Sequence, residues 1–183
     1  MKYNKKIILK DGRECILRHG TKEDAKAALD NFRLTHDQTD YLLSYNDDLP
    51  LTVEDEAKYL QNKLDNENEV ELLAIVDGKV VGLAGLNHNG QFYKVRHKVE
   101  FGINVDKDYW RLGIGRALTE SCIECAKKAG LKQIILEVIG DNANAISLYK
   151  SLGFKEYGRN EKGFQSKYSG WQEEVLMVLD LEA

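Results

Sequence analysis

The sequence predicts a mixed α/β fold of the α+β kind, a mostly antiparallel sheet of about seven strands flanked by about four helices. Three observations lead there. The N-terminal half carries two hairpin patterns, residues 99–105 alternate apolar and polar side chains with a period of two, and after Val105 the order becomes helix, strand, helix, strand, strand.

Taken in order, residues 6–18 read as a hairpin about Asp11-Gly12. Thr21-x-x-Asp24 and Thr52-x-x-Asp55 read as helix starts, since a threonine and an acid three residues on can satisfy each other's free backbone N–H groups. Residues 71–76 and 79–88 flank Asp77-Gly78 as a second hairpin. Val99, Phe101, Ile103 and Val105 then alternate with Glu100, Gly102 and Asn104 along one strand. Gly113 and Gly115 open a helix to about residue 129, with Ala117, Leu118, Ile123 and Ala126 on one face. A helix between strands ending at Val105 and Ile139 fits a right-handed crossover joining parallel neighbours. After strand 134–139 and a Gly140-Asp141-Asn142 corner, a short helix carries an apolar stripe of Ala145, Leu148, Tyr149 and Leu152 and ends at Gly153. Two strands follow.

Across 183 residues no linker, repeat or low-complexity tract offers a boundary, so one domain over 1–183 is expected. No apolar run approaches a membrane span and charges interrupt the opening MKYNKKIILKDG, so the expectation is a cytoplasmic protein with no membrane partner. Cys15, Cys122 and Cys125 make neither an even disulfide set nor a zinc site, and His19, His36, His88 and His97 lack ligand spacing; no metal is expected. The net charge of −4, from 26 basic and 30 acidic residues without a basic stripe, argues against nucleic acid. Between Asp37 and Ala57 stand seven acids (Asp37, Asp40, Asp47, Asp48, Glu54, Asp55, Glu56) and no Lys or Arg.

Gly113 and Gly115 remove bulk where Leu112, Ile114 and Arg116 present successive N–H groups at a helix start, an arrangement suited to phosphate. A mononucleotide P-loop needs Lys-Ser/Thr after the last glycine, where Arg116-Ala117 stand; a dinucleotide fingerprint needs a third glycine, where Leu118 stands. The helix carrying Tyr149 supplies a second motif. Trp110-Arg111-Leu112-Gly113-Ile114-Gly115, paired with Asn142-x-x-Ala145-Ile146-x-Leu148-Tyr149-x-x-x-Gly153-Phe154, resembles the GNAT superfamily of acyl-CoA-dependent N-acetyltransferases. The loop pattern there is Gln/Arg-x-x-Gly-x-Gly/Ala, and Trp110 departs from its first position.

The resemblance implies a GNAT-type fold in which the two parallel strands splay apart and acetyl-CoA, the co-substrate, enters the gap. It implies that the backbone of Arg111, Leu112, Gly113, Ile114, Gly115 and Arg116 holds the pyrophosphate, with Ile103, Asn104, Val105, Asn142 and Tyr149 also at the cofactor. Tyr149 would protonate the leaving thiolate, as a general acid does in that family; the other reading of its place on an apolar stripe is a core aromatic. Glu100, on the strand facing the acyl site, is the candidate base for the amine; the alternative is a strand carboxylate paired with Lys98 or Arg96. Backbone N–H groups at 103–105 are placed to meet an oxyanion.

The expected function is acetyl transfer from acetyl-CoA to a primary amine of a small metabolite or antibiotic, by direct attack in a ternary complex. The alternatives are a transferase for a protein N-terminus or lysine and a CoA-binding module without turnover. The acidic 37–57 segment points to a small cationic amine as acceptor. The loops expected to select it are 35–56 and the aromatic stretch 164–171. Homodimers are common in the family.

Overall fold

Every pair of neighbouring strands but one runs antiparallel, and the exception builds the site. The computed structural model describes residues 1–48, 50–88, 90 and 92–181. Its strands are β1 (Asn4–Ile8), β2 (Glu14–His19), β3 (Val70–Val76), β4 (Lys79–His88), β5 (Lys98–Val105), β6 (Gln133–Ile139), β7 (Lys155–Ser166) and β8 (Gly170–Asp180). The helices are α1 (Ala25–Gln38), α2 (Val53–Asp65), α3 (Ile114–Lys128) and α4 (Ala143–Ser151). The strands form one sheet in the order β1-β2-β3-β4-β5-β6-β8-β7. Eight strands stand where about seven were expected.

Local chemistry sets the connections. Asp77 and Gly78 both adopt positive φ, 50° and 78°, the conformation a tight two-residue hairpin needs and one that Asp and Gly tolerate. Thr52 and Asp55 form a complete capping box on α2, worth about 1 kcal/mol. Thr21 and Asp24 form the same box one turn earlier than α1 proper, on a short 3-10 turn that leads into it.

The helices cover opposite faces. Leu73 and Leu83 pack with Ala25, Ala28 and Leu60 under α1 and α2. Alternate residues of the same strands, Leu72, Ala74 and Ala84, with Phe101 of β5, join Leu118, Cys122, Ile146 and Tyr149 in the larger core on the α3 and α4 side. The three cysteines are free and buried, and burial pushes the Cys15 and Cys125 thiols up to about 11, so they are inert packing groups. Among the described residues no helix is long and apolar enough to cross a membrane, and no group of three or more His, Cys, Asp or Glu is arranged to hold a metal ion.

Candidate active site

The parallel neighbours β5 and β6 pair over only three residues each, Lys98 to Glu100 against Gln133 to Ile135. Beyond that point β5 stays with β4 as far as Val105, and β6 stays with β8 as far as Ile139. The sheet therefore opens into a V whose vertex is Glu100.

Register decides which backbone groups line the V. The N–H of Asp106 donates to Val81 O at 2.9 Å, one step beyond the Val105↔Gly82 pair. In an antiparallel ladder hydrogen-bonded pairs alternate, so Asn104↔Leu83 and Gly102↔Gly85 are also bonded pairs. The N–H and C=O of Phe101, Ile103 and Val105 consequently point away from β4, toward the gap. Val105 O accepts the Trp110 indole N–H at 2.7 Å, which agrees with that direction. Ile103 and the Val105 N–H are left as an open strand edge, to which an extended chain bearing amides can add as a strand would.

Asn104 is a correction. It faces β4 through its backbone, and its side-chain amide donates to Asn31 Oδ1 (3.1 Å) and Thr35 Oγ1 (2.9 Å) on α1. The period of two that puts Ile103 and Val105 on the gap excludes their neighbour. Its task is to hold α1, as is that of Asp106, fully buried at the end of β5, which accepts from Gln38 Nε2 (3.0 Å) and Lys79 Nζ (2.9 Å).

From the open end of the V the chain enters the glycine turn. Arg111 has φ 64° and Gly113 φ 102°, so two left-handed residues in three turn the backbone before α3 begins. A non-glycine residue in that region is strained, and such strain concentrates at ligand sites. The N–H groups of Ile114, Gly115 and Arg116 open α3 without intrahelical partners, and with the helix dipole they favour an anion. The two glycines differ. Gly113 is required by its φ, whereas a Cβ on Gly115 would meet only Leu148 at an ordinary 3.8 Å, so residue 115 is small for another reason than its own packing. Ile114 and Leu112 turn their side chains to the core and offer only backbone, and Arg116 donates to Ser151 Oγ at 2.6 Å, tying α3 to α4.

Tyr149 is buried on α4, its ring edge-on to Phe101 of β5 at 6.1 Å and tilted on Phe154 at 5.7 Å. Phe101 follows Glu100 directly, so the tyrosine stands just inside the vertex. Burial holds its phenol far above the usual value, and it stays protonated throughout the neutral range. Asn142 caps α4, its Oδ1 accepting from Ala145 N at 3.2 Å, so a ligand would meet its Nδ2.

Glu100 lies on the opposite face, the α1/α2 side, beside Asn87 of β4 and Ile135 of β6. The pairing with Lys98 or Arg96 does not form: among the described residues no cation lies within ion-pair distance of Glu100, and Arg96 stacks on the Tyr93 ring at 3.9 Å. Two further carboxylates near it escaped the sequence reading. Glu137, two residues along β6 from Ile135, is pushed up by burial and then by the charges of Glu174 and Glu100. It is the one acid in strand 133–139, and that interruption of an apolar run was its signal. Glu71 of β3 is buried, accepts from Tyr59 Oη at 2.9 Å, and is raised by burial to about 7 against the opposing influence of Tyr59 and Lys63. Its carboxylate lies over Gly85, in space a Cβ there would occupy, while a Cβ on the next strand's Gly102 would meet nothing within 4 Å. The sheet thus has an open notch beside Glu100.

The acidic segment between α1 and α2 is also corrected. Lys167, at the tip of the β7–β8 hairpin, reaches Asp47 (2.6 Å) and Asp48 (3.2 Å) and lies 4.5 Å from the Tyr45 ring. Asp37 accepts from Asn46, and Asp40 accepts from four side chains. Asp40, Asp47 and Asp48 thus have partners at least 119 residues away that a local charge count missed, and Lys167 offsets part of the segment's negative charge. The two loops expected to choose the acceptor do meet, around a cleft of about 480 Å³ lined by residues that include His36, Gln38, Thr39, Tyr45 and Tyr168.

Comparison with known proteins agrees with this geometry. Residues 34–154, more than half of the chain, match the model of the acetyltransferase (GNAT) family. The chain is 30% identical over 150 residues to the L-amino acid N-acetyltransferase AaaT of Escherichia coli K12, covering 81% of this chain and 88% of that protein. It is 41% identical over 81 residues to the ribosomal protein bS18-alanine N-acetyltransferase of the same strain, covering 44% of this chain and 54% of that protein, so it spans only about half of that relative. A GNAT-family acetyltransferase structure from Streptococcus pneumoniae superposes with a TM-score of 0.87 at 28% identity, covering 91% of this chain and 99% of that one. A sheet that opens after one parallel contact, a glycine turn at the head of α3 and a buried tyrosine at the vertex come together in a chain that belongs to the GNAT acetyltransferase family.

Proposed function

We propose that this protein transfers the acetyl group of acetyl-CoA to a primary amine of a small molecule, by direct attack within a ternary complex. The observation that carries the reading is the V between β5 and β6, with Ile103 and Val105 turned into it and the N-terminus of α3 at its mouth. The pantetheine amides add to β5 as a strand would, and the pyrophosphate sits on the N–H groups from Arg111 to Arg116.

The thioester then lies at the vertex, between Tyr149 on one face and Glu100 on the other. A neutral amine is required, and Glu100 takes its proton, directly or through water, with Glu137 beside it to share the negative field. The nitrogen bonds to the carbonyl carbon and the oxyanion forms against the backbone N–H groups of β5. The C–S bond breaks, Tyr149 gives its proton to the departing sulfur, and the nitrogen, positively charged since it bonded to carbon, releases its extra proton to water, from which the tyrosinate is reprotonated. Amide and free CoA are the products.

An α-amino group is the favoured acceptor, since the relative aligned over most of the chain is named for L-amino acids. The second reading is the N-terminus of a protein, favoured by the relative named for the alanine of bS18. Thiol release and product mass with acetyl-CoA and a panel of L-alanine, L-glutamate, L-lysine, spermidine, kanamycin and a hexapeptide beginning with alanine separate the two. Turnover of free amines supports the first and turnover of the hexapeptide alone the second. Failure to bind acetyl-CoA in calorimetry overturns both.

A further inference from the structure

The V is closed by secondary structure at one end only, and a side-chain cluster spans the other. The α1–α2 loop belongs to the β1–β5 half of the sheet through the contacts of α1 with Asn104 and Asp106. The β7–β8 tip belongs to the β6–β8 half through the pairing of β8 with β6. Between them stands one carboxylate. Asp40 Oδ1 accepts from Tyr45 Oη at 2.7 Å, within its own loop. Asp40 Oδ2 accepts from Ser166 Oγ (2.7 Å), Ser169 Oγ (3.2 Å) and Gln172 Nε2 (3.2 Å), all on the far side. Ser166 is buried and accepts the N–H groups of Tyr168 (2.9 Å) and Ser169 (3.0 Å), so the carboxylate organises the whole turn at the tip. Lys167 N donates to Tyr45 Oη at 3.1 Å, and the rings of Tyr45 and Tyr168 meet edge to face at 5.6 Å.

We propose that Asp40 is a positioning residue for the acceptor: its carboxylate clasps the α1–α2 loop to the β7–β8 tip across the open end of the V and so fixes the shape of the cleft between them. Neutral hydroxyls and an amide cannot replace an ionised acceptor that takes four donors at once, because charge-assisted bonds are the stronger ones and an amide has a single acceptor oxygen. The cleft's volume, about 480 Å³, is of the size that small-molecule sites use, and its walls Tyr45 and Tyr168 are held by the clasp itself. With its lone pairs engaged, Asp40 shapes the site without binding the substrate. The acceptor role rests on the transferase reading above; the clasp does not.

Two measurements on Asp40→Asn and Ser166→Ala separate these levels. The first is hydrogen–deuterium exchange of the free protein. Residues 39–48 and 166–171 should exchange about tenfold faster in either variant while α3 and β3–β5 are unchanged; unchanged exchange in both segments overturns the clasp. The second is steady-state kinetics with L-alanine, L-glutamate and L-lysine. Asp40→Asn should raise acceptor KM about 5- to 20-fold for all three alike, with kcat within about threefold and acetyl-CoA affinity unchanged. A rise confined to L-lysine overturns positioning in favour of direct capture of a cation, and an unchanged KM overturns any acceptor role. A wild type that binds acetyl-CoA but acetylates none of the three overturns the small-amine reading and the acceptor role with it, while exchange still decides the clasp.

Discussion

The cofactor side and the acceptor side of this protein are built on different principles. On the cofactor side the working groups are backbone: two strand N–H groups turned into a gap, and the first amides of α3 behind a left-handed Arg111 and Gly113. On the acceptor side they are side chains brought together from segments 120 residues apart, with Asp40, Tyr45, Ser166 and Lys167 completing one another. A backbone site tolerates most substitutions provided the dihedral angles survive, whereas a side-chain site changes with every residue. One scaffold can therefore keep its cofactor while its acceptor varies.

The comparison breaks most readily at Tyr149, where the cofactor side depends on a single side chain. Tyr149→Phe keeps the contacts with Phe101 and Phe154 and should lower kcat about 10- to 1000-fold with acetyl-CoA affinity nearly unchanged. Because burial raises this phenol, the wild-type rate should show no descending limb from it below about pH 10. Near-normal turnover with a lower melting temperature would make it a core residue only.

Glu71 tests how dry the α2 side of the sheet is. A carboxyl raised from 4.5 to about 7 on folding holds more protons folded than unfolded between those values, so stability should fall as pH rises through that window and level off above it. In Glu71→Gln that fall should vanish, a difference of about 2–3 kcal/mol between pH 4.5 and 8 by the worth of a pKa unit. Urea denaturation across that range reads it, and parallel curves for both proteins would contradict the buried charge.

At the vertex, Glu100→Gln should lower kcat/KM about 10- to 100-fold at neutral pH. A kcat/KM equal to that of wild type would transfer the base to Glu137 or to water. The double substitution with Glu137→Gln tells those apart.

Gly115→Val sharpens the claim that backbone access matters. The residue has room against Leu148 and an ordinary φ, so the fold should survive while acetyl-CoA binds several-fold to about tenfold more weakly. Gly113→Val should lose stability as well, because φ 102° is unsuited to a β-branched side chain. Equal affinity in a folded Gly115→Val protein removes the pyrophosphate from this turn. The smallest effect belongs to Lys167→Met: its pairs with Asp47 and Asp48 are exposed to solvent, and stability should hardly change. A larger loss in chemical denaturation would make the tip, rather than Asp40, the principal tie between the loops.

What the sequence determined by itself was whatever depends on neighbours in the chain. Period-two alternation marked β5, capping boxes marked the helix starts at Thr21 and Thr52, and Gly113 and Gly115 marked the turn into α3, since each is a property of a few consecutive residues. The glycine turn and the motif from Asn142 to Phe154, read together, carried the resemblance to the GNAT family. Tertiary structure alone decided where the parallel pairing stops, which is why Ile103 and Val105 reach the gap and Asn104 does not. It decided as well that Glu137 and Glu71 share the face of Glu100, and that Lys167 answers Asp47 and Asp48. The physical reason is the same in each case. Side-chain electrostatics acts through space over a few ångströms, and only folding sets which residues lie within that distance.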